Sequence, residues 1–293
     1  AVPPTYPTLT APGAAGVRPG SAAALPLAGT NLADPTGVWS SLPGLAFTAD
    51  AKDATKVTLK ADVPAAAPVG AHFVRVATQA GVSNLKAVCV DDLPDVPETD
   101  KARDRKSAQP VPGACAVVGT ATAEAADFFR FPVEAGKPVT VEVIARRLGS
   151  PLDPVIVLSD GSGRELPGAY ADDTPGLQGD ARYTVTPKEK GELVVEVRDS
   201  TYRGGPDYAY RLRIGAFPGA TTAFPLFVQR GKSADVTFTG PALDGVKPVT
   251  VNAPADPTAA VVYVAPKRAD GPSGWPVPVR LTDVPQAVES EPN

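Results

Sequence analysis

The side chains that carry most enzyme chemistry are scarce in this chain. Its 293 residues include one histidine, two cysteines and no methionine. A Ser-His-Asp triad or a zinc site would have to use His72, which shares strand parity with Val74 and Val76 and has no Glu, Cys or nucleophile motif beside it. No glycine-rich loop precedes a helix, so nucleotide binding has no support either. We therefore predict a structural role for His72 and a protein that is not an enzyme.

Long apolar runs and long runs of a single charge are also absent. No stretch approaches the roughly 18 consecutive apolar residues of a membrane helix, so we expect no membrane span in this chain. The net charge is -4 with both signs interspersed, and no basic stripe points to nucleic acid. Helical periodicity is missing too, since only residues 121–126 favour a helix and that patch is short.

Turn-forming residues are abundant instead. The chain has 34 prolines and 27 glycines, which separate short runs of alternating apolar and polar residues. Such alternation is typical of strands with one buried face, so the sequence predicts an all-β protein. The run 155–158 is apolar at every position, as in a central strand covered on both sides. The alternating positions expected to face a core are Val57, Leu59, Val74, Val76, Val139, Val141, Val143, Leu193, Val195, Val197, Val236 and Phe238.

Two breaks divide the strand pattern into three parts. Residues 95–109 are rich in charge and lack alternation, and the Gly- and Pro-containing stretch 215–219 follows the last strand of the central part. A chain of this length has room for two or three domains of ordinary size. We predict three tandem β-sandwiches, with domains at residues 1–97, 98–216 and 217–293, the last one shorter and ending at the start of a further module.

The first and third parts share a repeated pattern. In the first part, Gly20 of Arg18-Pro19-Gly20 lies nine residues before the first glycine of Gly29-Thr30-Asn31-Leu32. In the third part, Gly231 of Arg230-Gly231 lies nine residues before the first glycine of Gly240-Pro241-Ala242-Leu243. Both parts also close alike, at 91–96 and at 282–288. We infer that the same module flanks a different central one. Residues 289–293 follow the third part as 98–101 follow the first, so we expect a fragment of a longer repeat protein.

Export is indicated by the start of the chain, where Ala1 stands in place of methionine, as after removal of a signal peptide. In an exported protein two cysteines usually pair. We therefore predict a Cys89–Cys115 disulfide that crosses the first domain junction and makes it stiffer than the second. The alternative is two buried free thiols that behave as small apolar side chains.

The outer parts resemble the IPT/TIG immunoglobulin-like domain. The matching residues are Gly29-Thr30-Asn31-Leu32, Val63-Pro64 and Gly81-Val82-Ser83-Asn84, over about residues 5–93, with a weaker match over 218–288. The resemblance implies an Ig-like sandwich at each end of the chain.

The central part resembles the bacterial pre-peptidase C-terminal (PPC) domain over about residues 110–215. The matching segments are Asp127-Phe128-Phe129-Arg130-Phe131, Gly136-Lys137-Pro138-Val139, Leu152-Asp153-Pro154, Gly191 and Gly205-Pro206-Asp207-Tyr208-Ala209-Tyr210. This resemblance implies a β-sandwich of jelly-roll type, an accessory non-catalytic module of secreted enzymes and surface proteins. Its collagen-binding relatives often bind calcium.

Calcium is the one cofactor that the resemblance to the PPC domain suggests. Those relatives use an acidic Glu-x-Glu-x-Asn entrance, which residues 289–293 match without a module to follow. The entrance to the central part is Glu98-Thr99-Asp100, and four cations between 101 and 106 would oppose a bound metal ion. Carboxylates that cap turns are the alternative interpretation. The candidate calcium ligands are Glu98, Asp100, Asp127, Asp153, Asp172 and Asp173, with Asp180 as a further one.

Three tyrosines of the central part resemble those with which collagen-binding relatives hold their ligand. Tyr202, Tyr208 and Tyr210 are therefore a candidate binding surface. However, Tyr208 and Tyr210 share strand parity with Leu212 and Ile214, which favours the core for the last two tyrosines. The pair Arg146-Arg147 follows an apolar strand, and a surface ion pair with Asp153 or Glu142 is expected there.

The features above favour a non-catalytic exported scaffold or adhesion protein of the cell surface or extracellular matrix. Its expected partners are a protein or polysaccharide of the cell envelope or matrix, or further copies of itself. The alternative is the accessory, substrate- or polymer-binding region of a secreted peptidase or other hydrolase.

Overall fold

The fold is all β. The computed structural model describes residues 6–10, 14–42, 47–99 and 103–287. In these residues it has 25 strands and one 3-10 turn at Arg146–Leu148, and the patch at 121–126 forms a turn instead of a helix. The strands form six sheets, which pack in pairs around three separate apolar cores. The predicted class, tandem β-sandwiches, is confirmed.

The first sandwich packs a sheet ordered β1-β3-β6-β5 against one ordered β2-β9-β7-β4, with β8 beside β7. Val57 and Leu59 are buried between exposed or half-buried neighbours, and Val74 and Val76 are fully buried, as their alternation predicts. The strands are β1 (Thr8–Leu9), β2 (Gly16–Val17), β3 (Ala22–Thr30), β4 (Gly37–Ser40), β5 (Thr48–Asp53), β6 (Lys56–Asp62), β7 (Gly70–Thr78), β8 (Gly81–Val82) and β9 (Lys86–Val90).

The central sandwich pairs a sheet ordered β10-β12-β19-β14-β17 with one ordered β11-β13-β18-β15-β16. Its core includes the alternating valines of β14 and β18, as predicted. The strands are β10 (Asp95–Pro97), β11 (Gln109–Pro110), β12 (Cys115–Thr120), β13 (Asp127–Val133), β14 (Val139–Ile144), β15 (Pro154–Asp160), β16 (Glu165–Ala171), β17 (Arg182–Val185), β18 (Gly191–Asp199) and β19 (Ala209–Gly215).

The third sandwich is smaller, with sheets ordered β20-β22-β23 and β21-β25-β24 around a core that contains Val236, Val251 and Val279. The strands are β20 (Thr222–Phe224), β21 (Phe227–Gln229), β22 (Ser233–Thr239), β23 (Val249–Asn252), β24 (Val261–Val264) and β25 (Val277–Thr282).

The two outer sandwiches share one pairing scheme. The parallel pair β2·β9 corresponds to β21·β25, and the antiparallel pairs β3·β6 and β7·β9 correspond to β22·β23 and β24·β25. In the described part of the third domain, no strand corresponds to β4, β5 or β8. This common topology agrees with the repeated sequence pattern.

The charged stretch after the first sandwich is not a free linker. Residues 95–97, which we assigned to the first domain, form β10 and pair in parallel with β12 of the central sheet. Further along, Gln109–Pro110 form β11 and pair with β13 of the other central sheet. The chain therefore enters the central sandwich about three residues earlier than predicted, and it contributes an edge strand to each sheet.

Candidate functional site

Two arginines of β19 occupy the face of the strand that points away from the central core. Tyr210, Leu212 and Ile214 face that core, as their parity predicts. Arg211 and Arg213 face the opposite side, where a lone sandwich would meet water. Both are nevertheless fully buried, because the first and third domains cover this side of the sheet.

Asp91 neutralises both arginines from the first domain. It directly follows β9 and is itself fully buried. Arg211 Nε donates to Asp91 Oδ2 at 2.7 Å, and Arg213 donates from Nε at 3.0 Å and from Nη2 to Oδ1 at 3.1 Å. Asp91 is thus held by a two-point fork from Arg213 and by a single N–H of Arg211, and such charge-assisted hydrogen bonds are strong.

Arg211 is enclosed by the start of the central domain and by the first domain. Its Nη2 lies 2.7 Å from Asp95 Oδ1, and its Nη1 donates to the carbonyl of Ala14 at 3.2 Å. Gly16 permits this approach, because a Cβ at that position would lie 2.8 Å from the guanidinium. Asp95 Oδ2 in turn accepts the Gly16 amide at 2.8 Å.

The third domain closes the same cluster. Arg213 Nη2 donates to the Ser273 carbonyl at 2.7 Å, and the Ser273 amide donates to Asp92 Oδ2 at 2.8 Å. Trp275 packs against Val69, Ala87 and Cys89 of the first domain and against Ile144 and Leu148 of the central one. The Arg213 guanidinium lies 4.3 Å from the ring centre of Phe217 and 5.7 Å from that of Trp275. All three domains therefore meet at one buried point, which we call the three-domain junction: Asp91, Arg211, Arg213, Ser273 and Trp275.

Glu142 extends the buried charge across the central sheet. It lies between Arg213 of β19 and Arg182 of β17, directly opposite each in register. Arg147 Nη1 lies 2.8 Å from Glu142 Oε1, and its Nε lies 2.7 Å from Asp180 Oδ2. Arg182 donates to the Ala220 carbonyl at the entrance to the third domain at 2.9 Å. Opposite charges on facing strands stabilise the pairing of a sheet, and here they also reach the next domain.

The pair Arg146-Arg147 forms both expected contacts, but only one of them lies at the surface. Arg146 pairs with Asp153 at 2.8 Å on the partly exposed side. The side chain of Arg147 is almost fully buried, and its guanidinium carbon lies 5.6 Å from the ring centre of Trp275. Asp180 accepts the backbone amides of Ala145 and Arg146 at 3.0 and 2.8 Å, which holds the 3-10 turn in place. The expectation of a surface pair is wrong for Arg147, because the third domain covers it.

The carboxylates of the junction are held ionised. Burial acts to raise the pKa of Asp91, but the cations of Arg213 and Arg211 outweigh it and keep that pKa below its ordinary value. Burial likewise opposes the ionised form of Glu142, and Arg147, Arg182 and Arg213 keep its pKa low. These are buried ion pairs whose partners depend on one another.

The predicted disulfide is not formed. Cys89 and Cys115 are both buried free thiols. Cys89 belongs to the apolar cluster around Trp275, whereas Cys115 lies in the central core and donates to the Pro112 carbonyl at 3.3 Å. Burial raises the pKa of Cys89 to about 12 and that of Cys115 to about 11. A disulfide therefore does not stiffen the first junction, and buried contacts tie the second junction as well.

Two of the candidate calcium ligands come together. Glu98 and Asp127 lie side by side, and Arg103 is ion-paired with both, at 3.6 Å to Glu98 Oε1. The Tyr210 hydroxyl donates to Asp127 Oδ2 at 2.9 Å, and the Thr120 amide donates to Glu98 Oε2 at 2.8 Å. Burial, followed by the charge of Asp127, raises the pKa of Glu98 to about 7. Arg103 therefore occupies the space between the two carboxylates and pairs with both.

The other candidate ligands have different partners. Asp153 accepts from the Ser200 hydroxyl at 2.7 Å, and Asp172 accepts from the Tyr170 hydroxyl at 3.2 Å. Asp173 occupies a left-handed turn with φ of 39°. Asp100 lies outside the described residues. Within the described ranges, no group of three or more His, Cys, Asp or Glu side chains is placed to hold a metal ion. Calcium binding stays a prediction.

The three candidate tyrosines do not form a common binding surface. Tyr210 is fully buried, and Tyr208 packs against the central core. Tyr202 is exposed, in a left-handed turn, with the Arg198 guanidinium 4.7 Å from its ring centre. The candidate binding surface is therefore wrong for Tyr208 and Tyr210, since Tyr210 lies on the inner face of β19 and Tyr208, just before that strand, packs against the same core.

His72 has a local structural contact. Its Nε2 lies 2.9 Å from the carbonyl of Pro68, and burial lowers its pKa. Sequence patterns did not single out the exposed rings of Trp39 and Phe73 or the buried ring of Trp275. The sequence contains one signal for the junction. Arg211 and Arg213 alternate with apolar residues along a single predicted strand.

Comparisons with known proteins give only remote structural similarities, at TM-scores of 0.24 and below for the three described here. No family model matches the chain, and no curated protein matches its sequence. The Bacteroides ovatus mixed-linkage glucan utilization locus protein SGBP-B, in complex with a mixed-linkage heptasaccharide, aligns with 71% of this chain and 76% of its own at 11% identity and a TM-score of 0.24. The secreted serine protease VesC from Vibrio cholerae aligns with 68% of this chain and 47% of its own at 9% identity and a TM-score of 0.22. The titin I-band fragment I67-I69 aligns with 94% and 98% at 9% identity and a TM-score of 0.22.

Among the described residues, no helix is long and apolar enough to cross a bilayer.

Proposed function

We propose that this chain is a non-catalytic exported scaffold in which three β-sandwiches act as one rigid unit. The three-domain junction carries the proposal. Asp91 of the first domain holds Arg211 and Arg213 of the central domain, and Arg213 reaches the Ser273 carbonyl of the third. Domains of one chain usually move relative to each other unless their interface is large and apolar. Here the apolar cluster around Trp275 and the fully buried ion pairs beside it act against such motion.

Rigidity is useful to a protein that sets a distance or presents a surface. A scaffold or adhesion protein must hold its binding faces in fixed positions, and a rigid arrangement lowers the entropic cost of binding. We propose a polysaccharide or protein of the cell envelope or matrix as the partner. The non-catalytic assignment is supported by the single histidine, which is bound to a backbone carbonyl, and by the structural roles of the buried charges.

Small-angle X-ray scattering tests the rigid unit. We expect the wild-type profile to fit one fixed arrangement of the three domains at neutral pH. The variant Arg213→Met should give a broader distribution of dimensions, because it removes the contacts to both Asp91 and Ser273. A matched control, Arg164→Met, alters an exposed arginine far from the junction and should leave the profile unchanged.

Binding and hydrolysis assays test the scaffold assignment directly. We expect retention of the chain on immobilised matrix proteins or envelope polysaccharides without cleavage of either. Turnover of a peptide or polysaccharide substrate by the purified chain would overturn the non-catalytic proposal. A wild-type profile that requires many domain arrangements would overturn the rigid unit.

A further inference from the structure

One face of the first domain is only half covered by its neighbours. The sheet β2-β9-β7-β4 turns Ala71, Ala87 and Cys89 to its outer side, where Trp275 and the central domain bury them. The same side continues over β7 and β4, and there it is open. Trp39 lies directly opposite Arg75, and Phe73 lies two residues from Arg75 on the same strand.

The open half carries large apolar side chains around one cation. Trp39 is 53% exposed, Phe73 38% and Val82 55%, and Val82 pairs with Ala77 on the same side of β7. Leu85, 41% exposed, adjoins them in the loop between β8 and β9. We call this surface the Trp39 face: Gly37, Trp39, Phe73, Arg75, Ala77 and Val82. It contains no acidic side chain, and Arg75 is its only charge.

The backbone beneath the rings is held in place by the sheet. Phe73 belongs to β7, which is hydrogen-bonded to β4 on one side and to β9 on the other. Its amide also donates to the Ser41 hydroxyl at 2.8 Å. Diagonal neighbours on adjacent strands lie about 7–8 Å apart, so Trp39 and Phe73 offer two ring surfaces side by side with the Arg75 guanidinium next to both.

We propose that the Trp39 face binds an acidic polysaccharide, a chain of pyranose rings that carry carboxylates. The apolar faces of sugar rings would stack on Trp39 and Phe73, and a uronate carboxylate would pair with Arg75. The proposal rests on the scaffold function and gives it a site and a class of ligand. The covered half of the sheet fixes this site relative to all three domains.

Shape and charge favour a polysaccharide over a protein. Protein interfaces place their anchor residues in fitted pockets. Two recesses of the described chain, along β3 and β6 and beside Phe238, lie away from this face. A flat face with two rings and one cation matches a flat, anionic chain, and the arginine at its centre is a geometric match for a carboxylate.

Affinity electrophoresis and calorimetry with the full chain test the site. The ligands are polygalacturonate and a neutral β-glucan of similar length. We expect polygalacturonate to bind and Trp39→Ala to weaken it by about tenfold or more, the loss typical of a stacked anchor. Arg75→Gln should weaken the binding of polygalacturonate to an extent that depends on salt concentration. It should also reduce the difference in affinity between polygalacturonate and the neutral glucan. Tyr263→Ala removes a ring that is 59% exposed in the third domain and should leave binding unchanged.

Three outcomes would overturn the site: no binding of polygalacturonate, binding that survives Trp39→Ala, or a neutral glucan bound as tightly as the acidic one. Self-association at high concentration that Trp39→Ala abolishes would also overturn it, in favour of a second copy as the occupant. None of these outcomes alters the scattering profile. The proposal of a rigid unit can therefore be confirmed or rejected independently of the proposal of this binding site.

Discussion

Asp91 and Arg211 form a 2.7 Å ion pair between two domains although both side chains are fully buried. The pair joins the end of the first sandwich to the last strand of the second. Arg213 shares the same carboxylate and carries the connection to the third domain through Ser273. One buried carboxylate thereby links contacts among all three domains.

Removing the shared carboxylate should destabilise the protein strongly. Asp91→Asn removes the carboxylate that two buried guanidinium groups share, and we expect a loss of about 3–5 kcal/mol in the free energy of unfolding. Guanidinium chloride unfolding measures it. The control is Asp50→Asn, which breaks an exposed pair with Lys60 and should change little. A loss for Asp91→Asn no larger than that of the control would contradict the role of the junction.

Removing the indole at the junction should release the third domain. Trp275→Ala deletes the apolar side chain that contacts both other domains, at a cost of about 3 kcal/mol. Limited proteolysis should then cut between residues 215 and 222 faster than in the wild type. Trp39→Ala, at an exposed position, serves as the matched control. Equal cleavage rates in the two variants would show that Trp275 does not hold the third domain.

Acid should open the junction. The pKa values of Asp91 and Glu142 are held below their ordinary values, so their ion pairs contribute stability above the ordinary pKa that is lost as pH falls through the folded value. We expect scattering to show a single body at pH 7 and to show separated domains only when the pH falls well below 3.8, the ordinary pKa of an aspartate. Addition of 1 M salt at pH 7 should have little effect, because buried pairs are weakly screened. Opening by salt alone would indicate exposed pairs instead.

Glu98 should show the opposite pH dependence. Its folded pKa is raised to about 7, so its contribution to stability is fully present below its ordinary pKa of 4.5 and is lost as pH rises through 7. Relative to wild type, Glu98→Gln should therefore raise the melting temperature at pH 8 more than at pH 5. Glu134→Gln, at an exposed pair with Lys137, should show no such difference. A pH-independent effect of Glu98→Gln would contradict the raised pKa.

The two thiols should be inert in the folded protein. Buried thiols with pKa values raised to about 12 and about 11 contain almost no thiolate at pH 8. We expect slow alkylation of Cys89 and Cys115 in buffer and two fast equivalents in denaturant without a reductant. A disulfide-linked peptide in non-reducing mass spectrometry would contradict the structure and restore the bridge.

The strand pattern predicted the sandwich cores well. Alternation assigned Val57, Leu59 and the valines of β14 and β18 to buried faces, and it turned Tyr210 inward. These predictions succeeded because the side-chain direction in a strand depends only on its immediate neighbours along the chain. The repeated pattern at both ends also agrees with a shared pairing scheme.

Alternation could not show what covers the second face of a strand. Thr140, Glu142, Arg211 and Arg213 alternate with core residues along β14 and β19, and the structure buries all four under neighbouring domains. The two cysteines illustrate the same limit, since proximity across a junction depends on contacts between distant segments.

The sequence by itself therefore determined the all-β class and the inner face of each sandwich, which are consequences of local periodicity. Only the tertiary structure decided that Asp91, Arg213 and Trp275 meet, because that requires three domains to dock over more than 180 residues of chain. It also decided that half of the first domain's outer sheet stays open at Trp39. The physical reason is common to both: burial of an outer face depends on long-range packing, which local alternation does not encode.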